Sequence, residues 1–307
     1  MSFTALLAAL LLEHFRPLPR AFRLFGWFSG YAHYLERQFN AGEHRHGVLA
    51  WFLALSPFVF LVTLISLLLN MISGLMGWAW SLTVLYFLMG FGRLEENAAA
   101  VSSALRNQQL DQAQLLLAQW TGRDCAANSA NEAARLGIEE ILASAYRNLF
   151  GVVFWFTLLG PGGALLYRLA QLLAQAWGTL NEQESGDFGK FSARAFAWME
   201  WLPARLTAIS FAIVGNFEDA MYCWRSQAKQ WMEESLGIVL ASGAGAMGVK
   251  LGEALVTRAG IESRPEIGLG DDADVDYMDS AISLIWRTLA LWLAVLLLIT
   301  LARWTGA

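Results

Sequence analysis

Long uncharged apolar runs alternate along the chain with short arginine-rich stretches. Residues 48–70 (VLAWFLALSPFVFLVTLISLLLN) carry no charge and are about as long as a bilayer core requires. Residues 71–92 repeat that pattern with almost nothing between, which predicts a tight helical hairpin around Asn70. Pro57 falls inside the first run, where it removes one backbone donor and predicts a kink. A further strong span covers 282–303, ending in Arg303 and Trp304. The opening apolar stretch, Met1 to Leu12, is short and lacks a basic n-region and a small-residue cleavage site. It reads as a retained partial span or a membrane-embedded helix.

Between 93 and 149 the pattern turns amphipathic. Leu94, Ala98, Val101 and Leu105 share one face of a predicted helix over 94–107. A second helix runs from Asp111 to Trp120, and the Ser129/Glu132 spacing fits a capping box opening a third that reaches about Phe150. No alternating strand pattern and no internal repeat is visible. Residues 150–172 are apolar enough to span but are interrupted by Gly160-Pro161-Gly162-Gly163, which leaves two readings, a kinked span or a re-entrant hairpin. The same two readings hold for 237–257. There Gly243 to Gly248 favour close helix approach, and Lys250 and Glu253 are spaced to pair on one face.

These elements predict an all-α integral membrane protein, a polytopic helical bundle with broken or re-entrant segments and a helical cytoplasmic insert. The expected division is 1–92 (N-terminal membrane helices with an amphipathic connector), 93–149 (cytoplasmic insert), 150–257 (core with broken segments), 258–281 (acidic loop) and 282–307 (C-terminal transmembrane helix). Arginines cluster in 13–47 and again after the hairpin, at Arg93, Arg106, Arg123, Arg135 and Arg147, which places both flanks on the cytoplasmic side.

Composition narrows the function classes. Residues of the AVILMFWYC set make up 56% of the 307 and charged residues only 15%, against about 25% in ordinary soluble domains. A net charge of −5 offers no basic field for nucleic acid, so the lipid bilayer is the expected partner. The two cysteines, Cys125 and Cys223, have no metal-ligand spacing, and no metal site is predicted. The aspartates of 271–279 lack the Gly and terminal Glu of a calcium loop and read as a solvated acidic loop.

Three further features suggest binding chemistry, each with a plainer alternative. Arg123-Asp124, after Gly122, is a candidate clamp for phosphate or carboxylate, or a helix terminus with a local ion pair. Arg168, following Tyr167, sits at the edge of the broken apolar segment, as a ligand-facing cation or a snorkelling one. Arg194 and Arg205 bracket AFAWMEWL and would build an anion site, or anchor the cytoplasmic side. The broken segments are also a feature of discontinuous transporter helices, but there is no inverted repeat.

The motifs GRD (122–124), FW (154–155), LLGPGGALLYR (158–168), FGKFSAR (188–194), WLPARL (201–206) and GAGAMGVKLGE (243–253) occur in that order. Together they resemble the CobD/CbiB superfamily of inner-membrane proteins over most of the chain. One branch of that superfamily joins an aminopropanol unit to adenosylcobyric acid with ATP and Mg²⁺. The other, the AmpE branch, is linked to β-lactamase induction and has no established chemistry. The wording FWFTLLGPGGALLYRL followed by WLPARL looks closer to AmpE. Glu139 matches a family glutamate, but the synthase pattern's paired aspartates after SAR are here Phe196-Ala197. Its glycine-proline-asparagine run is Glu253-Ala254-Leu255. The resemblance therefore implies a regulatory or ligand-sensing AmpE-like protein of the bacterial inner membrane, with an anionic small-molecule ligand and an unidentified protein partner. The alternative it implies is a working adenosylcobinamide-phosphate synthase, using ATP and Mg²⁺ and drawing on Glu139, Asp124 and Glu200. On either reading the ligand-binding set is Arg123, Asp124, Glu139, Tyr167, Arg168, Arg194 and Arg205.

Overall fold

The computed structural model describes residues 2–16, 26–40, 44–122, 129–178, 187–257 and 260–305. Among the described residues, four helical stretches are long and apolar enough to cross a membrane: Arg45–Ile72, Gly74–Arg106, Ala130–Trp177 and Val275–Ala302. The protein is an all-α, multi-pass membrane protein with a small β component. It divides into two compact units, residues 1–90 with 151–202, and residues 91–150 with 203–307.

The first unit contains α1 (Ser2–Phe15), α2 (Gly26–Phe39), α3 (His44–Ile72), α4 (Gly74–Leu88), α8 (Gly151–Trp177) and the start of α9 (Lys190–Val214). The predicted hairpin forms between α3 and α4. Asn70 Nδ2 donates to the Ser66 carbonyl at 2.8 Å, and the Ser73 hydroxyl caps α4 by accepting from Leu75 N. Gly77 lies where any Cβ would collide with the Asn70 side chain, so the turn needs glycine there. Pro57 deprives the Leu53 carbonyl of its helical donor, and the Tyr31 hydroxyl of α2 approaches that carbonyl at 3.5 Å. The short apolar α1 is tied to α4 by Trp78 Nε1 donating to Thr4 Oγ1 at 3.1 Å.

The GPGG segment breaks α8 in one place. Gly160 adopts φ 71°, ψ −157°, a backbone that L side chains resist, and Pro161 opens the second half, where its missing N–H costs nothing. Gly162 then lets α8 approach Thr63 and Val59 of α3 closely. Beyond the break, Tyr167 is fully buried, with its ring 5.5 Å from that of Phe196 and its hydroxyl end against Gly151.

The second unit contains α5 (Phe91–Arg106), α6 (Leu110–Thr121), α7 (Ala130–Ala145), the rest of α9, α10 (Phe217–Gln227), α11 (Glu234–Met247) and α12 (Val275–Thr305). Ser129 caps α7 as its spacing predicts, accepting from Glu132 N at 3.1 Å. Ala133, Ala134, Gly137, Ile138, Ile141 and Leu142 make that helix the core of the unit. A π-helical turn, Tyr146–Phe150, follows α7 and places the Phe150 ring against Trp292 of α12 at 5.2 Å.

Three expectations fail after residue 248. The stretch 237–257 is not one apolar helix: α11 ends at Met247, and Gly248 takes the left-handed φ of 71° that turns the chain. Five short strands follow: β1 (Val249–Leu251), β2 (Leu255–Thr257), β3 (Gly260–Glu262), β4 (Ile267–Gly268) and β5 (Asp271–Asp272). β1 is the central strand of three, antiparallel to β4 and parallel to β5, while β2 and β3 pair as an antiparallel ribbon. Lys250 and Glu253 do not pair on a helix face. Lys250 lies in β1 with Glu266 3.8 Å away, and Glu253 pairs with Arg135. The acidic run is also not a loop, because Asp271-Asp272 form β5 and α12 begins at Val275. Arg106 of α5 then binds Asp276 at 2.7 Å and Asp279 at 2.9 Å.

Candidate functional site

The charged residues of the second unit converge around α7 and the turn that follows β1. Glu139 projects from the middle of α7 and is buried. A lone carboxylate there would be costly, and three donors compensate it. Arg264 Nη1 reaches Oε2 at 2.7 Å, Arg264 Nη2 lies 3.4 Å from Oε1, and the Gly252 amide donates to Oε1 at 2.8 Å. Arg264 is fixed from every side. It also donates to the carbonyls of Gly252 (3.3 Å) and Glu253 (3.2 Å), and it stacks over the Trp231 ring with 5.6 Å to the centroid.

The backbone explains why GAGAMGVKLGE ends as it does. Gly252 has φ 84°, and a Cβ there would run into the Pro265 carbonyl. Glu253 follows with φ 68°, a left-handed conformation uncommon outside glycine. The turn thus delivers one amide to Glu139 and one carboxylate to Arg135, which lies one helical turn before Glu139 on α7. Glu132, Glu139, Asp272 and Arg264 all lie close enough to act on the Arg135 charge.

Two further arginines are held by the start of α11. Arg147, in the π turn after α7, pairs with Glu233, and Arg205 pairs with Glu234 at 3.2 Å. The arginines are half-buried and both glutamates exposed. The support beneath is a side-chain clamp. Gln227 Nε2 donates to the Gly268 carbonyl at 3.2 Å and its Oε1 accepts from Gly268 N at 2.7 Å, so that one amide acts as an additional strand rung beside β4.

The predicted set divides accordingly. Glu139 and Arg205 lie in the second unit. Tyr167, Arg168 and Arg194 lie in the first, where Arg168 Nη1 donates to Gln171 Oε1 at 2.6 Å and Arg194 is exposed. Arg123 and Asp124 lie outside the described residues. Phe196, at the position of a synthase aspartate, is buried against Tyr167, so that position is filled by ring packing. Glu200 is buried in α9. Among the described residues no three His, Cys, Asp or Glu side chains come together in a way that would hold a metal ion. Sequence reasoning missed Arg264, Arg135 and Trp231. The Arg135/Glu139 spacing, four apart on a helix, was the available signal.

The CobD/Cbib protein family profile matches residues 3–285. A protein of Stutzerimonas stutzeri named "Cobalamin biosynthesis protein CobD" is 34% identical over 299 residues, 96% of this chain and 97% of its own length. One of the same name from Chromobacterium violaceum is 35% identical over 211 residues, 69% of this chain and 67% of its own. A "Probable cobalamin biosynthesis protein CobD" of Methanothermobacter thermautotrophicus is 27% identical over 203 residues, 64% of this chain and 67% of its own. No solved structure matches. These similarities overturn the AmpE-like regulatory expectation. The relatives bear cobalamin-biosynthesis names, and one is matched nearly end to end.

Proposed function

The chain belongs to the CobD/CbiB protein family, and from that premise we propose that it is a cobalamin-biosynthesis enzyme of the bacterial inner membrane. The proposed reaction is that of an adenosylcobinamide-phosphate synthase, ATP-dependent amide formation between adenosylcobyric acid and aminopropanol phosphate. The observation that carries the reading is the near full-length similarity to a protein named for cobalamin biosynthesis. The cluster of arginines around α7 is consistent with it.

In chemical terms, the acid's carboxyl takes the terminal phosphoryl group of ATP, releasing ADP. The substrate amine then displaces phosphate to form the amide. Both substrates and the nucleotide are anionic, so such a site needs cations that are oriented in advance. In the second unit Arg205 is the proposed ligand-facing charge, and in the first unit Arg168 and Arg194 are; Arg123, outside the described residues, is proposed from the sequence alone. Asp124 and Glu139 are the proposed carboxylates, and Tyr167, buried against Phe196, is a proposed positioning residue of the first unit. Glu139 holds the Gly252 amide and Arg264 together, so its proposed role is to position the turn that faces the ligand. Mg²⁺ would enter on the nucleotide's phosphates.

The test is direct. Purified protein in detergent is incubated with adenosylcobyric acid, aminopropanol phosphate and ATP·Mg²⁺ beside an authentic synthase, and the corrinoid product is weighed by mass spectrometry. The amide product is expected. An inactive protein beside an active control would remove the proposal.

A further inference from the structure

We infer that Glu253 is an internal, displaceable carboxylate occupying a phosphoryl-binding site built on Arg135, with Arg264 as a fixed charge beside it. The inference deepens the synthase reading by naming the group this part of the site takes.

The asymmetry within the ion pair is its basis. The Arg135 side chain is 12% exposed, whereas that of Glu253 is 60% exposed. Arg135 is therefore committed to having an anion beside it, since a guanidinium shielded from water is costly to leave unpaired. Glu253 has no such need and can return to solvent. The contact is also incomplete: Arg135 Nη1 binds Glu253, while Nε is buried with no hydrogen-bond partner among the described residues. A phosphoryl group carries three acceptor oxygens and can engage Nε and Nη together.

The second arginine belongs to the same turn. Arg264 Nε donates to the Glu253 carbonyl at 3.2 Å, and its charge acts on Arg135. Glu139 fixes Arg264, so Arg264 stays in place when the Glu253 side chain leaves. Glu132, Glu139 and Asp272 also act on the Arg135 charge and repel any incoming anion, so the occupant must gain its affinity from contacts that Glu253 does not make, at Nε and Nη together. The incoming anion must exceed one carboxylate in charge and acceptor count, as a phosphomonoester or the terminal group of a nucleotide does.

Isothermal titration calorimetry on the full detergent-solubilised chain tests this without requiring turnover. The probes are inorganic phosphate, aminopropanol phosphate and a non-hydrolysable ATP analogue. Removing the internal competitor in Glu253→Gln is expected to tighten a phosphoryl probe about tenfold, as for a site about 90% self-occupied. The probe with the largest gain names the source of the phosphoryl group. Glu253→Asp, with a shorter reach, is expected to give a smaller gain. Adding Arg135→Gln to Glu253→Gln is expected to abolish the gain. Glu266→Gln, at an exposed glutamate paired instead with Lys250, is expected to change nothing. The inference falls if Glu253→Gln tightens no probe, if the gain survives Arg135→Gln, or if Glu266→Gln matches it. Loss of synthase activity with these affinities intact would count against the reaction and leave the binding site standing.

Discussion

Glu139 and Arg264, 125 residues apart in the chain, form an ion pair in which both side chains are nearly excluded from water, 9% and 12% exposed. The pair closes the turn at Gly252 onto the central helix of its unit, because each partner also binds the Gly252 backbone. Burial of both charges makes breaking the pair costly, while replacing it whole need not be.

Glu139→Gln keeps the size of the side chain and an acceptor for the Gly252 amide, but it leaves Arg264 buried without a counter-charge. The expected cost is about 3 kcal/mol of stability, together with loss of most synthase activity. The double variant Glu139→Gln with Arg264→Met is expected to recover much of the thermal midpoint in detergent and none of the activity. Recovery of both would mean the pair serves the fold alone.

The break in α8 makes a separate prediction. Gly160 sits at φ 71°, ψ −157°, where an L residue is strained by roughly 1–3 kcal/mol, though open space surrounds the position. Gly160→Ala should therefore lower stability by about that amount through the backbone alone. Gly162→Val should do worse, because its side chain meets Thr63 and the Val59 carbonyl. Thermal unfolding of both variants checks the order, and a Gly160→Ala protein as stable as the parent would remove the left-handed break.

Much of the membrane architecture was legible because its signals are local. Uncharged runs, the Ser129 cap and the GPGG interruption each announce themselves within a few neighbouring residues. The strands after Gly248 were not legible: each is two or three residues long, too short for alternation to register. The aspartates of 271–279 are largely exposed as their composition suggests, but the pairing of Asp276 and Asp279 with Arg106, some 170 residues earlier, was out of reach of a local reading. The candidate site was half-visible for the same reason. Glu139 and Arg205 were found from motifs, but Arg264 stands in a stretch whose composition suggested only an acidic loop. What singles it out is Glu139, which the fold brings to it.

Cys223 supplies a pH-dependent test. Its side chain is fully buried in α10, and burial, reinforced by Asp219, pushes the thiol up to about 11 from an ordinary 9.0. The unfolded chain therefore releases this proton at a lower pH than the folded one. Between about pH 9 and 11 the unfolded state binds fewer protons, so stability contributed here falls as pH rises through that window and is intact below it. In a Cys125→Ser background, maleimide labelling of native protein at neutral pH should be much slower than labelling in denaturant. Equal rates would show that the thiol is open.

The Gln227 clamp predicts a split between binding and stability. Its amide exchanges two hydrogen bonds with Gly268, and β4 in turn pairs with β1, which leads directly into Gly252. Gln227→Ala leaves the part-buried Gly268 amide and carbonyl without that partner, at a cost of about 1–3 kcal/mol. Gln227→Glu keeps the acceptor for Gly268 N but sets a carboxylate oxygen against the Gly268 carbonyl, so it should be the more disruptive locally despite its closer shape. Because β4 and β1 hold the turn bearing Gly252 and Glu253, both variants should raise KM for the phosphorylated substrate more than they lower kcat. Steady-state kinetics with the thermal midpoint measured alongside checks this. A fall in kcat with unchanged KM would place the clamp's influence on the reacting groups and not on the turn.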